Sequence, residues 1–262
     1  MRIVRFMVSN SIKYGILEDK VIHSLAQDPF SNFTSKTEYI FDGESYSLEK
    51  VKLREPCLPS KIVCLGVNYR THAQEMSSTP PPNPLMFLKP STAVVGPDDP
   101  IVLPSHYKRV DYEGELGVVI GKRAKCVSSE GAKEYILGYT CFNDVTERQF
   151  QKDDVQWTRA KGFDTFAPMG PWIETEINAD DLLLETYLNG QLRQSARTSE
   201  LIFGISTLIS FISGVMTLLP GDVIATGTPS GIAPMKPGDV VEVRIENIGT
   251  LRNKVYPFVG AC

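Results

Sequence analysis

The chain has 262 residues, 27 Lys and Arg against 31 Asp and Glu, a formal net charge of −4 and 42% hydrophobic residues. These are values for one large globular domain, or one with a small appendage, and the mildly acidic balance argues against nucleic acid and anionic membrane as partners. Five cysteines without a C-x-x-C pair (Cys57, Cys64, Cys126, Cys141, Cys262) speak against a disulfide framework and a thiolate zinc site. With an N-terminus lacking an apolar signal core, they lead us to expect reduced thiols in a cytoplasmic protein.

In chain order, RIVRFMV, KYGILE and KVIHSL alternate with polar turns, which predicts a small β appendage over 1–55. Pro56 and Pro59 bracket a boundary, so 56–262 is read as the main domain. KIVCLGVNY reads as a buried strand. In THAQEMSSTPPPNP a first helical turn is possible, but Pro80, Pro81, Pro82 and Pro84 forbid continuation. Residues 77–84 are therefore expected to be an exposed lid. After LMFLKP comes VDYEGELGVVIG, whose period of two predicts one strand with Asp111, Glu113 and Glu115 on a single face. Neighbouring carboxylates there lie about 7 Å apart and repel by roughly 2 kcal/mol, so water, a basic group or a cation must offset them.

Beyond it we predict a helix near 128–134, a strand in YILGYTCFND, a helix around 146–157 and a hairpin at Asn189-Gly190. Leu201–Leu219 is uncharged and long enough to span a bilayer, but serines and glycines interrupt it and basic flanks are absent. It reads as a buried helix, at a subunit interface. Two Pro-Gly-Asp turns then launch strands. The sum is a β-dominated α+β fold, without the alternation of a doubly wound sheet.

Three groups could carry chemistry. Glu113, Glu115 and Asp144, which ends a strand, could offer three oxygens to a hard dication; a solvated edge strand with a turn aspartate is the alternative. His72 precedes Glu75 by three residues, so on a helical turn the glutamate could orient the imidazole; a polar surface turn is the alternative. Arg148, Lys161 and Lys89 form a basic group. Asp144, Arg148 and Gln151 could share a helix face, with Arg148 clamping a carboxylate or merely pairing with Asp144. Dinucleotide, Walker and nucleophile-elbow motifs are absent from the sequence.

GVNYRTHAQEM, FLKPSTAVVG, DYEGELGVVIG, GYTCFNDVTERQFQ, AKGFDTFAPMGPWI and PGDVIATGTPSGI together resemble, in order and spacing, the fumarylacetoacetate hydrolase family from about Lys61 to about Val255. The resemblance implies a mixed β-sandwich roll as catalytic domain, in a homodimer. It implies Mg²⁺ (or Mn²⁺) on Glu113, Glu115 and Asp144, catalytic roles for His72, Glu75 and Lys161, and substrate contacts from Arg148, Gln151 and Thr228. Asp111 stands outside the ligand set as a possible orienting group. The implied activity is hydrolysis of a C–C bond in a fumarylacetoacetate- or acylpyruvate-like 2-oxo (diketo) acid through an enolate. The alternatives are an isomerase or decarboxylase of the 2-hydroxyhepta-2,4-diene-1,7-dioate type, or an oxaloacetate decarboxylase. Two departures stand out: Thr146-Glu147-Arg148-Gln149, where the family often reads T-A-R-D, and the proline pattern of SSTPPPNP.

Overall fold

The computed structural model describes residues 1–31 and 38–260; Cys262, one of the five cysteines above, lies outside them. The other four are free, and Cys57, Cys64 and Cys141 are buried.

Two sheets carry the fold. From edge to edge the larger runs Phe41–Ser47, Val21–Leu25, Ser11–Glu18, Arg2–Val8, Ala167–Glu174, Ile136–Asn143, Gly114–Ile120, Val223–Ala225, Ile62–Gly66, Leu85–Lys89. The smaller orders Gln191–Arg197, Leu183–Leu188, Val240–Ile245, Gly249–Pro257 and Ile101–Leu103. Most pairs are antiparallel, but Val223–Ala225 runs parallel to Ile62–Gly66, and Gly249–Pro257 parallel to Ile101–Leu103. Leu116, Val118 and Ile120 of one sheet meet Leu184, Val243 and Leu251 of the other in one apolar core. The strand-dominated α+β roll expected from the sequence is the fold observed.

The helices are α1 (Arg70–Glu75), α2 (Arg148–Asp153), α3 (Thr158–Lys161) and α4 (Ile205–Val215). Helix α4 lays Leu208, Ile209 and Ile212 into the core between the sheets. The N-terminal strands extend the larger sheet, Arg2 pairing with Glu174 and Ile3 with Ile173, while Val4, Phe6, Leu17 and Ile22 form a core of their own. At the Asn189-Gly190 turn both residues have positive φ, 52° and 75°, as a two-residue hairpin requires.

Four local expectations are corrected. The acidic segment is not one strand: Val110–Asp111 pairs with Thr146–Glu147, Tyr112 and Glu113 leave the ladder, and Gly114–Ile120 begins separately. The Tyr112 hydroxyl, donating to the Gly231 carbonyl at 2.9 Å, holds that break. The helix expected over 146–157 is two short helices, because Thr146–Glu147 is drawn into the Val110–Asp111 pairing and Glu147 caps α2 by accepting from the Phe150 amide. Near 128–134 there is only a 3₁₀ turn, Ala132–Tyr135. The apolar run 201–219 is helical only over α4, since Ile202 and Phe203 bond to Asn68 and Leu218 pairs with Ala124. Among the described residues no helix is long and apolar enough to cross a membrane.

Candidate active site

Strand Gly114–Ile120 is central in its sheet and buried throughout. Its register places Gly114 opposite Asn143 and Glu115 opposite Phe142. At the open end of this pair Asn143 Oδ1 accepts from the Glu113 amide (3.0 Å), and the Asp144 amide donates to the Glu113 carbonyl (2.8 Å). These two bonds tie the ends of both strands together and turn three acids inward. One carboxylate oxygen from each of Glu113, Glu115 and Asp144 lies within 4.8 Å of the others, and all three residues are buried. The solvated-edge alternative does not describe this structure.

Asp144 takes Lys89 Nζ on one oxygen and Lys161 Nζ on the other; Lys89 also donates to the Val145 carbonyl at 3.0 Å. Lys161 reaches Glu113 Oε2 at 2.9 Å, and Arg148 Nη2 reaches Glu113 Oε1. Burial alone would raise the Glu113 carboxyl, but Lys161, then Arg148 and His72, hold it well below the usual carboxylate range. Burial lowers Lys161, yet Asp144 and Glu113 outweigh it and keep the ammonium protonated.

Glu115 differs. Its Oε2 accepts from the Gly227 amide at 2.8 Å, while its buried Oε1 has no hydrogen-bond partner among the described residues. Burial, reinforced by Asp144 and Glu113, pushes its carboxyl well above the ordinary value. An orphaned carboxylate oxygen facing two other acids is what a hard dication satisfies. The donor set therefore fits Mg²⁺ or Mn²⁺. Gly227 is required on two counts: its φ is +104°, and a Cβ there would lie 2.7 Å from Asn68 Cβ.

The structure brings the other sequence-derived candidates to the same place. A cavity of about 500 Å³ is lined by His72, Glu113, Arg148, Gln151, Lys161 and Thr228, with Phe87 and Trp157 on its apolar side. On α1, His72 Nδ1 lies 3.1 Å from Glu75 Oε2, and Glu75 Oε1 accepts from the Gly231 amide at 2.9 Å. Arg148 opens α2 and donates to Gln151 Oε1 at 2.8 Å and, through Nε, to Asp111 at 2.8 Å. Asp144 precedes α2, so the ordinary Asp144–Arg148 helix pair is absent. The Thr228 hydroxyl donates to the Gly114 carbonyl (2.9 Å) and accepts from Gln194 (2.8 Å), so it braces the acidic strand as well as lining the cavity.

Sequence reasoning missed several groups. Lys89 was grouped with the basic residues but not placed beneath Asp144; a lysine ending the apolar strand LMFLK was the available signal. Asn68 (buried, donating to the carbonyls of Phe203 and Thr226 and accepting from the Phe203 amide) locks three segments, and nothing local marks it. Before it, Val67 lines the cavity with φ +56°, a strained conformation for a β-branched residue.

Residues 61–256 match the family described as fumarylacetoacetate (FAA) hydrolase C-terminal, and residues 1–56 the one described as Rv2993c-like, N-terminal. The chain belongs to the fumarylacetoacetate hydrolase family. Among its relatives in that family, Protein Rv2993c of Mycobacterium tuberculosis is 45% identical, over 97% of this chain and 98% of that one. Oxaloacetate tautomerase YisK of Bacillus subtilis is 43% identical, over 80% and 75%. A solved 5-carboxymethyl-2-hydroxymuconate delta-isomerase from Mycobacterium smegmatis superposes with a TM-score of 0.91 at 44% identity, over 98% and 100%. Maleylpyruvate hydrolase from Sphingobium sp. SYK-6, solved with manganese(II) and pyruvate, gives 0.81 at 30% identity, over 99% and 100%. The protein is thus an enzyme of this superfamily, whose members bind divalent metals.

Proposed function

We propose a divalent-metal-dependent hydrolase that cleaves a C–C bond in an acylpyruvate- or fumarylacetoacetate-like 2-oxo acid. The observation that carries this reading is a cluster of three buried carboxylates with an unsatisfied Glu115 oxygen, one of which, Glu113, lines a cavity together with a glutamate-oriented histidine. Glu113, Glu115 and Asp144 would hold Mg²⁺ or Mn²⁺, which supplies electrophilic stabilisation for the negative charge developing on the 2-oxo oxygen. Lys161 and Arg148 hold the ligand carboxylates in place and balance an anionic substrate, and the Gln151 amide faces the same space. His72, oriented by Glu75, takes a proton from water. The hydroxide adds to the remote carbonyl, the C–C bond breaks, and its electron pair passes into the enolate of the departing 2-oxo acid.

A second reading rests on the relatives named isomerase and tautomerase. In it His72 takes a proton from carbon and returns it elsewhere, consuming no water. Loss of carboxylate in place of an acyl group gives the decarboxylase. Purified enzyme with Mg²⁺ and, separately, acetylpyruvate, oxaloacetate and 2-hydroxyhepta-2,4-diene-1,7-dioate separates these by product. The hydrolase reading expects acetate and pyruvate from acetylpyruvate, with His72→Ala reducing that cleavage about 10²–10⁴-fold and any decarboxylation far less. Exclusive tautomerisation or isomerisation would replace it with the second reading. No turnover and no Mg²⁺ heat in calorimetry would remove both. A homodimer is part of the proposal, read by light scattering.

A further inference from the structure

We propose that Arg109 takes a second, distal carboxylate, so that the preferred substrate is a 2-oxo dicarboxylic acid; this rests on the reading of the site just given. Arg109 lines the same cavity as Glu113, one of the three clustered acids. Its Nε and Nη2 donate to the two oxygens of Asp111 at 2.9 and 3.0 Å, and Arg148 Nε donates to the same carboxylate at 2.8 Å. Arg148 and Lys161 in turn meet on Glu113. The linked cations Arg109, Arg148, Lys161 and Lys89 match the carboxylates Asp111, Glu113, Asp144 and Glu115 in number, so a dication held by the acids would leave the site with room for two negative charges. Of these cations Arg109 is the one whose side chain is half-exposed.

The guanidinium is also held in advance. Glu147, which stands where the family often has alanine, accepts from the amides of Lys108 (2.9 Å) and Arg109 (3.2 Å) on one oxygen and from Phe150 on the other. The Arg148 amide donates to the Arg109 carbonyl at 2.8 Å. Backbone and side chain are thus pinned to the start of α2. An arginine in a fixed fork loses less freedom on binding than a free surface one, and its geometry suits a carboxylate. Among the described residues Nη1 has no protein acceptor, so that edge of the fork can turn to a ligand. Glu75, the nearby acid, has one oxygen on His72 and the other on the Gly231 amide. The same cavity is also lined by the apolar Leu65, Met76, Phe87 and Trp157, which suits a carbon chain with an ionic group at each end.

The test compares kcat/KM for maleylpyruvate, which ends in a carboxylate, with acetylpyruvate, which ends in a methyl group. The comparison is made in the wild type, Arg109→Gln and Arg109→Lys. Calorimetry of oxalate with Mg²⁺ reads the metal pole alone. The proposal expects the wild type to favour the diacid and Arg109→Gln to erase about 10- to 100-fold of that preference, mostly through KM. Arg109→Lys should restore part of it, and oxalate affinity should stay near wild type. A preference untouched in Arg109→Gln, or absent from the wild type, overturns the proposal. Equal loss of both substrates and of oxalate overturns it too, assigning Arg109 a purely structural role. Failure of oxalate to bind the wild-type enzyme with Mg²⁺ would instead sink the metal-site reading on which this one rests.

Discussion

In the N-terminal region Lys20, in the turn before Val21–Leu25, reaches Glu49 of the 3₁₀ turn Leu48–Lys50 at 2.9 Å with both side chains largely in water, and Lys13 bridges Asp42 and Glu44. In the candidate site Lys89 and Lys161 make the same kind of contact to Asp144, with every partner buried. The atoms and distances are alike; the solvent is not. At the surface water already satisfies each charge, so the pair adds little. In the interior each charge was stripped of water, so the pairs offset a cost, and removing one partner exposes it again. The buried set is therefore a poor source of net stability and a good way to hold acids where a cation is wanted.

The contrast can be broken at four points. Glu115→Ala should have the largest effect: calorimetry should detect no Mg²⁺ binding and turnover should fall by about 10³-fold, with circular dichroism unchanged. Retained turnover would show that Glu115 holds no metal. Lys89→Met should come next, destabilising the fold by about 3–5 kcal/mol in denaturant titration, because Asp144 loses one of its two buried cations. A change below about 1 kcal/mol would mean that the charge is screened after all.

Third is a pH effect. The raised Glu115 carboxyl binds its proton more tightly in the folded protein than at the ordinary value of 4.5. Its contribution to metal-free stability is complete below that value and is lost as pH rises through the raised one. A dication binds the ionised form, so the Tm gain from Mg²⁺ should be larger near pH 8 than near pH 5.5. Equal gains would contradict the assignment. Lys20→Met, the smallest, should leave Tm unmoved.

Much of this was legible in the chain. Alternation gave the strands and Asn189-Gly190 the hairpin, while spacing alone left Glu113, Glu115, Asp144, His72 and Glu75 open and the family resemblance joined them. What stayed hidden depends on contacts between distant segments. The period-two pattern of 110–121 holds on both sides of Tyr112, yet a hydroxyl bonded to Gly231, far along the chain, splits the strand. That split sends Asp111 to two arginines and leaves Glu113 beside Glu115 and Asp144, in the proposed cation site. Likewise Thr146–Glu147 has helical neighbours but finds a strand partner first. Lys89 and Asn68 act on residues 55 and 135 or more positions away, beyond the reach of local periodicity.

Val67 carries a consequence for how this enzyme can be altered. Its left-handed backbone, clamped by Asn68, is where the strand Ile62–Gly66 turns towards the histidine helix. A chain allowed to relax that bend would keep both sheets and gain of order 1 kcal/mol, but the imidazole would no longer be aimed at the acids. Selection for heat resistance alone should therefore favour changes that straighten this corner, giving sturdier proteins and worse catalysts, whereas glycine would accept the left-handed backbone and keep the bend.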